Sequence, residues 1–196
     1  MNLSQRQKDI IRETLSLMAE KGLGAVTMKE IAKRFHVTDA ALYKHFKGKK
    51  EILSGVAALF EEDAKKALQA VTGIAHPVRA IRAFFVNRCD SFAETPALAL
   101  VLFNQELLND DSFAAQQKNM MELHRNAIHS LIKKGQDQGV IRPEIAMEHL
   151  FTMIMGGLRL MVHQWKMKKY SFDLSREGRA FWDSIEALIS PGYEKS

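Results

Sequence analysis

The chain contains a single cysteine, Cys89, among 196 residues. No intramolecular disulfide and no cysteine-rich zinc site can form, and a reducing compartment is expected. Four prolines and eleven glycines are few for this length, and runs of alternating β-branched residues are missing, so helix is favoured over sheet and no strand is expected. No apolar run is long enough to cross a bilayer. The most apolar window, 150–162, is short and contains Arg159. The amino-terminal segment is polar and lacks a signal-peptide core, so a soluble, cytoplasmic protein without a membrane partner is expected. Catalytic constellations are also missing. His124 and His129 do not share a helical face as i, i+4 metal ligands do, His149 and His163 are scattered, and no Gly-Lys-Ser/Thr follows Gly22-Leu23-Gly24 to make a phosphate loop. The chain is therefore read as no enzyme, with no cofactor and no metal site.

What is present is helical texture and an uneven charge. The length suits one or two domains, and 46% hydrophobic residues are enough for a sizeable core. The net charge is +5, yet residues 1–50 hold eleven Lys/Arg against five Asp/Glu, while the remaining residues hold seventeen against eighteen. A basic end on a near-neutral body points to a polyanion partner for that end alone.

The basic end carries the most informative stretch, 26–52. Thr27 is a good N-cap and Glu30 follows three residues on, a capping box, with Val26 and Ile31 as a hydrophobic staple. Met28, Ile31, Ala32 and Phe35 share one helical face. The pattern restarts at a second N-cap, Thr38, and continues through Leu42 and Phe46. The turn between the two helices needs a residue with positive φ, and His36 stands in that slot. Helices this short cannot be stable alone. They pack on each other and on a preceding helix, which opens at the Ser4–Gln7 capping box, buries Ile10, Ile11, Leu15, Leu17 and Met18, and ends at Gly22. The second short helix exposes Asp39, Ala40, Tyr43, Lys44 and His45. Small residues at its start allow close approach to a duplex, and Tyr, Lys and His supply donors to phosphate.

The run T-M-K-E-I-A-K-R-F-H-V-T-D-A-A-L-Y-K-H-F-K-G-K-K-E-I-L, from Thr27 to Leu53, resembles the DNA-binding segment of TetR-type (tetracycline-repressor family) transcriptional regulators. The shared elements are the Thr-led helix with Ile-Ala, the Val-Thr step, Leu-Tyr-x-His-Phe and the Lys-Glu-x-Leu run, with His36 where the family usually has Gly. The resemblance implies an all-α protein of about nine helices, with a helix-turn-helix domain over 1–48 and an effector-binding and dimerisation domain over 49–196. On that reading Thr27, Thr38, Tyr43, His45 and Lys49 hold phosphates of double-stranded DNA. Ala40, Ala41 and Lys44, with Asp39 as a further candidate, face base edges, since Ala can touch a thymine methyl and Lys can donate to guanine.

Beyond the motif, helices are expected over 49–71, from Pro77 through Phe92, over 97–108, through Met120 to Ile132, over 144–167 and over 175–189. The resemblance implies an effector cavity in this body without identifying its lining. Candidates are the large or adaptable Phe85, Phe92, Phe103, Met120 and Met155, with Arg88, Glu106 and His124 as orienting polar groups and Cys89 beside them. Near the carboxyl end, Leu158, Met161, Val162 and Trp165 on one helix, and Phe181, Trp182, Ile185, Leu188 and Ile189 on the next, make two apolar faces suited to a homodimer. Gly156-Gly157 suggests close approach by another helix. The expected protein is a repressor released from a palindromic operator by a small, largely apolar effector. Alternatives are a DNA-binding regulator governed by a protein partner or by Cys89 oxidation, and a hydrophobic-molecule carrier or enzyme.

Overall fold

The computed structural model describes residues 3–109 and 111–192, the side chains of Gln105, Glu106 and Ser112 excepted. The described residues hold ten α-helices and one 3₁₀ turn, and no strand occurs among them. They are α1 (Gln5–Lys21), the 3₁₀ turn Leu23–Ala25, α2 (Met28–Arg34), α3 (Asp39–Tyr43), α4 (Lys49–Val71), α5 (Pro77–Glu94), α6 (Ala97–Leu102), α7 (Gln105–Leu108), α8 (Asp111–Asp137), α9 (Met147–Met167) and α10 (Leu174–Ile189). The one helix expected over 97–108 is divided. The Asn104 side-chain oxygen accepts the Leu107 backbone N–H at 2.9 Å and starts a new turn, a local bond that competes with helix continuation.

The chain packs as two compact units, Met1–Asp63 with Thr95–Lys118, and Ala64–Glu94 with Asn119–Ser196. The first unit is more than the helix-turn-helix segment because α6 packs on α1. Its core contains Ile10, Ile11, Leu17 and Met18 from α1, Ile31 and Ala32 from α2, Leu42 of α3 and Phe46 beyond it, all at 2% exposure or less. Arg34, at the end of α2, ties that helix back to α1. Its guanidinium meets Glu20 with two bonds of 2.6 and 2.7 Å and Glu13 at 3.0 Å. The bonds from Arg34 hold the Glu20 carboxyl below the usual carboxylate range.

In the second unit α5 lies against α10 and α9. The Phe85 ring stands 6.0 Å from Phe181 and 5.6 Å from Trp182. The approach is close: a Cβ at Gly178 would lie 2.6 Å from Cys89 Sγ. The Gly156-Gly157 pair has two different explanations. A Cβ at Gly157 would strike the Phe181 ring at 2.5 Å, so Gly157 makes room for α10 of its own chain, whereas Gly156 faces open space.

The turn between α2 and α3 is a Schellman end. The Val37 N–H reaches Ala32 O at 2.9 Å and the His36 N–H reaches Lys33 O at 3.2 Å, with His36 at φ 54. These bonds satisfy carbonyls that the helix leaves open and require the left-handed residue at His36. A β-carbon there costs roughly 1–2 kcal/mol, partly offset by the chain entropy that glycine would lose on folding. His36→Gly is expected to stabilise the protein by roughly 0.5–1 kcal/mol, a rise of about 1–4 °C in the thermal midpoint. Thermal unfolding followed by circular dichroism checks this.

Candidate nucleic-acid interface

The two short helices owe their ends to side chains. Thr38 accepts the Ala41 N–H at 3.2 Å and Thr27 accepts the Glu30 N–H at 3.2 Å. The capping box expected at Thr27–Glu30 is only half made, because the Glu30 carboxylate turns to Lys21 at 3.7 Å. The box at Ser4–Gln7 is complete. Both threonines spend their oxygen on the cap and keep an O–H to donate elsewhere. With Leu42 and Phe46 buried, Thr38, Asp39, Ala40, Tyr43 and Lys44 share the exposed side, while Ala41 and His45 are half-buried. Tyr43 stands 52% exposed, unusual for an aromatic without a partner to meet. Lys49 is half-buried at the start of α4, and one of its N–H groups donates to Leu23 O at 3.1 Å. An ammonium has three donors, so two remain.

In the second unit the effector candidates divide. Phe85 and Cys89 face α10, against Phe181, Trp182 and Gly178. Arg88, next to Cys89 in sequence, is 1% exposed and donates to Ser91 Oγ at 2.5 Å, and its charge acts on His124 of α8. Adjacent residues of a helix point about 100° apart, so the two side chains diverge. His124 is 3% exposed, meets Phe84 edge to face at 5.1 Å, and neither ring nitrogen has a hydrogen-bond partner among the described residues. Burial first, and then the Arg88 charge, pushes its pKa down to about 4. Phe92, Met120 and Met155 are buried. Phe103, half-buried, belongs to the first unit rather than to this group, and the Glu106 side chain lies outside the described residues. Burial pushes the Cys89 thiol up to about 12, with Asp90 adding to it.

The expected dimer faces combine two surfaces. Leu158, Val162, Trp165, Trp182, Ile185 and Ile189 are all at 5% exposure or less. They fill the core of their own unit and are corrected from partner-facing to core residues. Met161 and Phe181 are half-buried and Leu188 is exposed. Beside them the sequence reading missed Met153, Leu160 and Met167, which are exposed on the outer side of α9. A groove of about 590 Å³ runs between α9 and α10, lined by Gly157, Leu160, Met161, Gln164, Phe181 and Ser184 among others. Every large hydrophobic residue that is exposed among the described residues lies on α9, on α10 or at Tyr43.

Two family models cover the chain. The model of bacterial regulatory proteins of the tetR family matches residues 10–56, and that of the tetracyclin repressor-like C-terminal domain matches residues 77–181. The chain belongs to the TetR family. Along its length this TetR-family protein is 21% identical over 192 residues to the "Probable acrEF/envCD operon repressor" of Escherichia coli strain K12, covering 94% of this chain and 87% of that one. Its fold matches the transcriptional regulator FadR from Bacillus subtilis in complex with stearoyl-CoA at a TM-score of 0.79 and 19% identity, covering 95% and 100% of the two chains. It also matches a SmeT–triclosan complex at a TM-score of 0.78 and 18% identity, covering 98% and 95%. The TetR-family chain is thus a helix-turn-helix DNA-binding transcriptional regulator.

Two titration outcomes follow from the buried groups. A thiol reagent at pH 8 is expected to leave Cys89 unmodified in the native protein and to react with it only after unfolding, as spectrophotometric thiol counting would read. Between His124's usual value near 6.5 and its folded value of about 4, the unfolded chain binds the extra proton, so stability falls as pH drops through that window, by at most about 1.4 kcal/mol per pH unit. Denaturant titrations at pH 7 and pH 5 are expected to show this loss shrinking in His124→Gln.

Proposed function

We propose that the protein is a homodimeric repressor that grips a palindromic operator through paired α3 helices and releases it when a small, largely apolar effector enters the body. The observation that carries the DNA half is the side of α3 left outside the fold, where Ala40, Tyr43 and Lys44 are exposed while Leu42 and Phe46 fill the core. It sits on the basic end of the chain. Thr27, Thr38, Tyr43, His45 and Lys49 are assigned to phosphates, and Asp39, Ala40, Ala41 and Lys44 to base edges. The functional division is taken at 48/49, with DNA reading before it and effector binding and dimerisation after it, and the site of action is the cytoplasm.

Dimerisation follows from the need for two recognition helices on a palindromic site. The exposed Met153, Leu160, Met167 and Leu188, beside Gly156 with open space in front of it, support α9 and α10 as the shared face. An apolar surface of this kind is rarely left bare on a monomer. For the effector, the stearoyl-CoA bound by FadR has a long apolar acyl chain on a charged CoA head, and the triclosan bound by SmeT is a small, largely apolar aromatic molecule, both in proteins of this fold. They support an effector of that character, with Arg88 and His124 as the polar groups nearest an otherwise apolar interior. The effector acts through unequal affinity for two placements of α4, and so for two spacings of the α3 pair. Control by Cys89 oxidation is the weaker reading, since a buried thiol held at about 12 has little reactive thiolate.

Three measurements test this. Selection from a random duplex library is expected to yield a palindrome whose affinity falls steeply with salt, as several phosphate contacts require. A chain that enriches no duplex at low salt overturns the DNA reading. Within that assay Lys49→Ala, present in both protomers, is expected to weaken all sequences alike and lower the salt slope by about two, and Lys44→Ala to relax preference at one base pair of each half-site roughly tenfold. Leu160→Glu is expected to turn a dimer into a monomer at micromolar concentration in sedimentation velocity, with operator binding lost in parallel.

A further inference from the structure

The first turn of α1 touches three other parts of the DNA-reading unit at once. The Arg6 guanidinium lies 4.3 Å from the centre of the Phe35 ring at the end of α2. The Lys8 ammonium pairs with Glu62 of α4 at 3.1 Å. Between them Gln7 uses both ends of its amide. Its oxygen accepts the Ser4 N–H at 3.0 Å, completing the capping box, and its nitrogen donates to the backbone carbonyl of His45 at 3.0 Å. We infer that Gln7 is a positioning residue for operator binding, fixing the far end of the recognition helix from a turn of α1.

The recognition helix needs such a holder. α3 is five residues long, too short to keep its own direction. Its near end is anchored by the Thr38 cap and by the Schellman turn at His36. Its far end has backbone bonds from His45 and Phe46 to Leu42 O and a C-cap, Lys44, without a cap side chain. Among the described residues, Gln7 makes the only side-chain hydrogen bond from outside the motif to the backbone of 39–46. Tyr43, Lys44 and His45 all project from the segment that this bond holds.

The choice of an amide is itself informative. A capping box is made as well by Glu as by Gln at this position, and the helix dipole favours a negative charge there. Glutamate, however, has no N–H to give to His45. Gln7 serves the helix it belongs to and the helix it faces, and only the second role requires a donor.

The inference rests on the DNA-binding reading, and two variants separate it from mere stabilisation. Gln7→Glu keeps the box and removes the donor. Ser4→Ala breaks the box and leaves the donor in place. The readout is the ratio of affinities for a duplex selected by the wild-type protein and for a scrambled duplex at the same salt. Added charge shifts both affinities together, because the non-specific attraction is independent of sequence. Gln7→Glu is expected to retain the wild-type thermal midpoint and to lose about tenfold or more in the ratio, one hydrogen bond in each of two protomers. Ser4→Ala is expected to melt a few degrees lower with its ratio unchanged. Amide exchange over 43–46 is expected to quicken in Gln7→Glu alone. Should the carboxylate variant not fold, Gln7→Met, of glutamine's shape but lacking both the donor and the box's acceptor, is expected to melt lower as Ser4→Ala does and, unlike it, to lose the ratio. A wild-type ratio and wild-type exchange in Gln7→Glu overturn the inference, as does a ratio that falls in step with stability in both variants. If the wild-type protein selects no duplex, the DNA-binding reading fails while the exchange measurement still decides whether Gln7 holds the helix.

Discussion

A helix of five residues has no stability of its own, and everything this protein does with DNA depends on borrowing stability for α3. The loan comes from burial of Leu42 and Phe46 in a core built by α1 and α2, and from hydrogen bonds at the two ends of the helix. Burying two such side chains contributes on the order of 3–6 kcal/mol, well above the ~1 kcal/mol of a single cap. Packing therefore decides that the helix exists, and the caps decide where it begins and how it is aimed. Such a division leaves the outer side of α3 free to vary in sequence without loss of the fold.

The second unit solves a different problem. Its core is aromatic and tightly closed, with Phe85, Phe181 and Trp182 stacked between α5 and α10 and glycine at the point of nearest approach. Yet on another side of α5 it encloses Arg88 and a neutral His124 whose ring has no hydrogen-bond partner among the described residues. Buried polar groups of this kind cost free energy that ordinary core residues would not. The two sides of α5 thus differ in character, aromatic packing toward α10 and buried polar groups on the other.

Much of the first unit was legible because its signals are local. Caps at Ser4, Thr27 and Thr38 and a positive-φ slot filled by His36 each depend on neighbours a few residues away, and all appear as read except the second half of the Thr27 box. That half failed because Glu30 had a competing partner, Lys21, brought close by tertiary packing. The helix expected over 97–108 broke at Asn104 for a similar reason, a side chain capturing a backbone N–H. In the second unit, periodicity identified the apolar faces of α9 and α10 but could not divide them between core and surface. Trp182 and Leu188 lie about 120° apart on one broad apolar face, and packing against α5 leaves the first buried and the second exposed. The outward Met153, Leu160 and Met167 lay off the α9 stripe of Leu158, Met161, Val162 and Trp165 and so went unread. Gln7 was legible as a cap; its hold on His45 spans thirty-eight residues and has no local signature.

The packing of α6 on α1 carries a consequence for synthesis. The DNA-reading unit is assembled from two stretches of chain separated by α5, so the ribosome delivers its first part long before its last. While α5 is being made, the nascent α1 has only α2, α3 and the start of α4 to cover it, and the surface meant for Ala97–Leu102 stays open. At the usual pace of translation that interval lasts some seconds, long enough for a chaperone to take hold. A half-emerged regulator of this design is thus incomplete at the end that must find DNA until more than half of its length has left the exit tunnel.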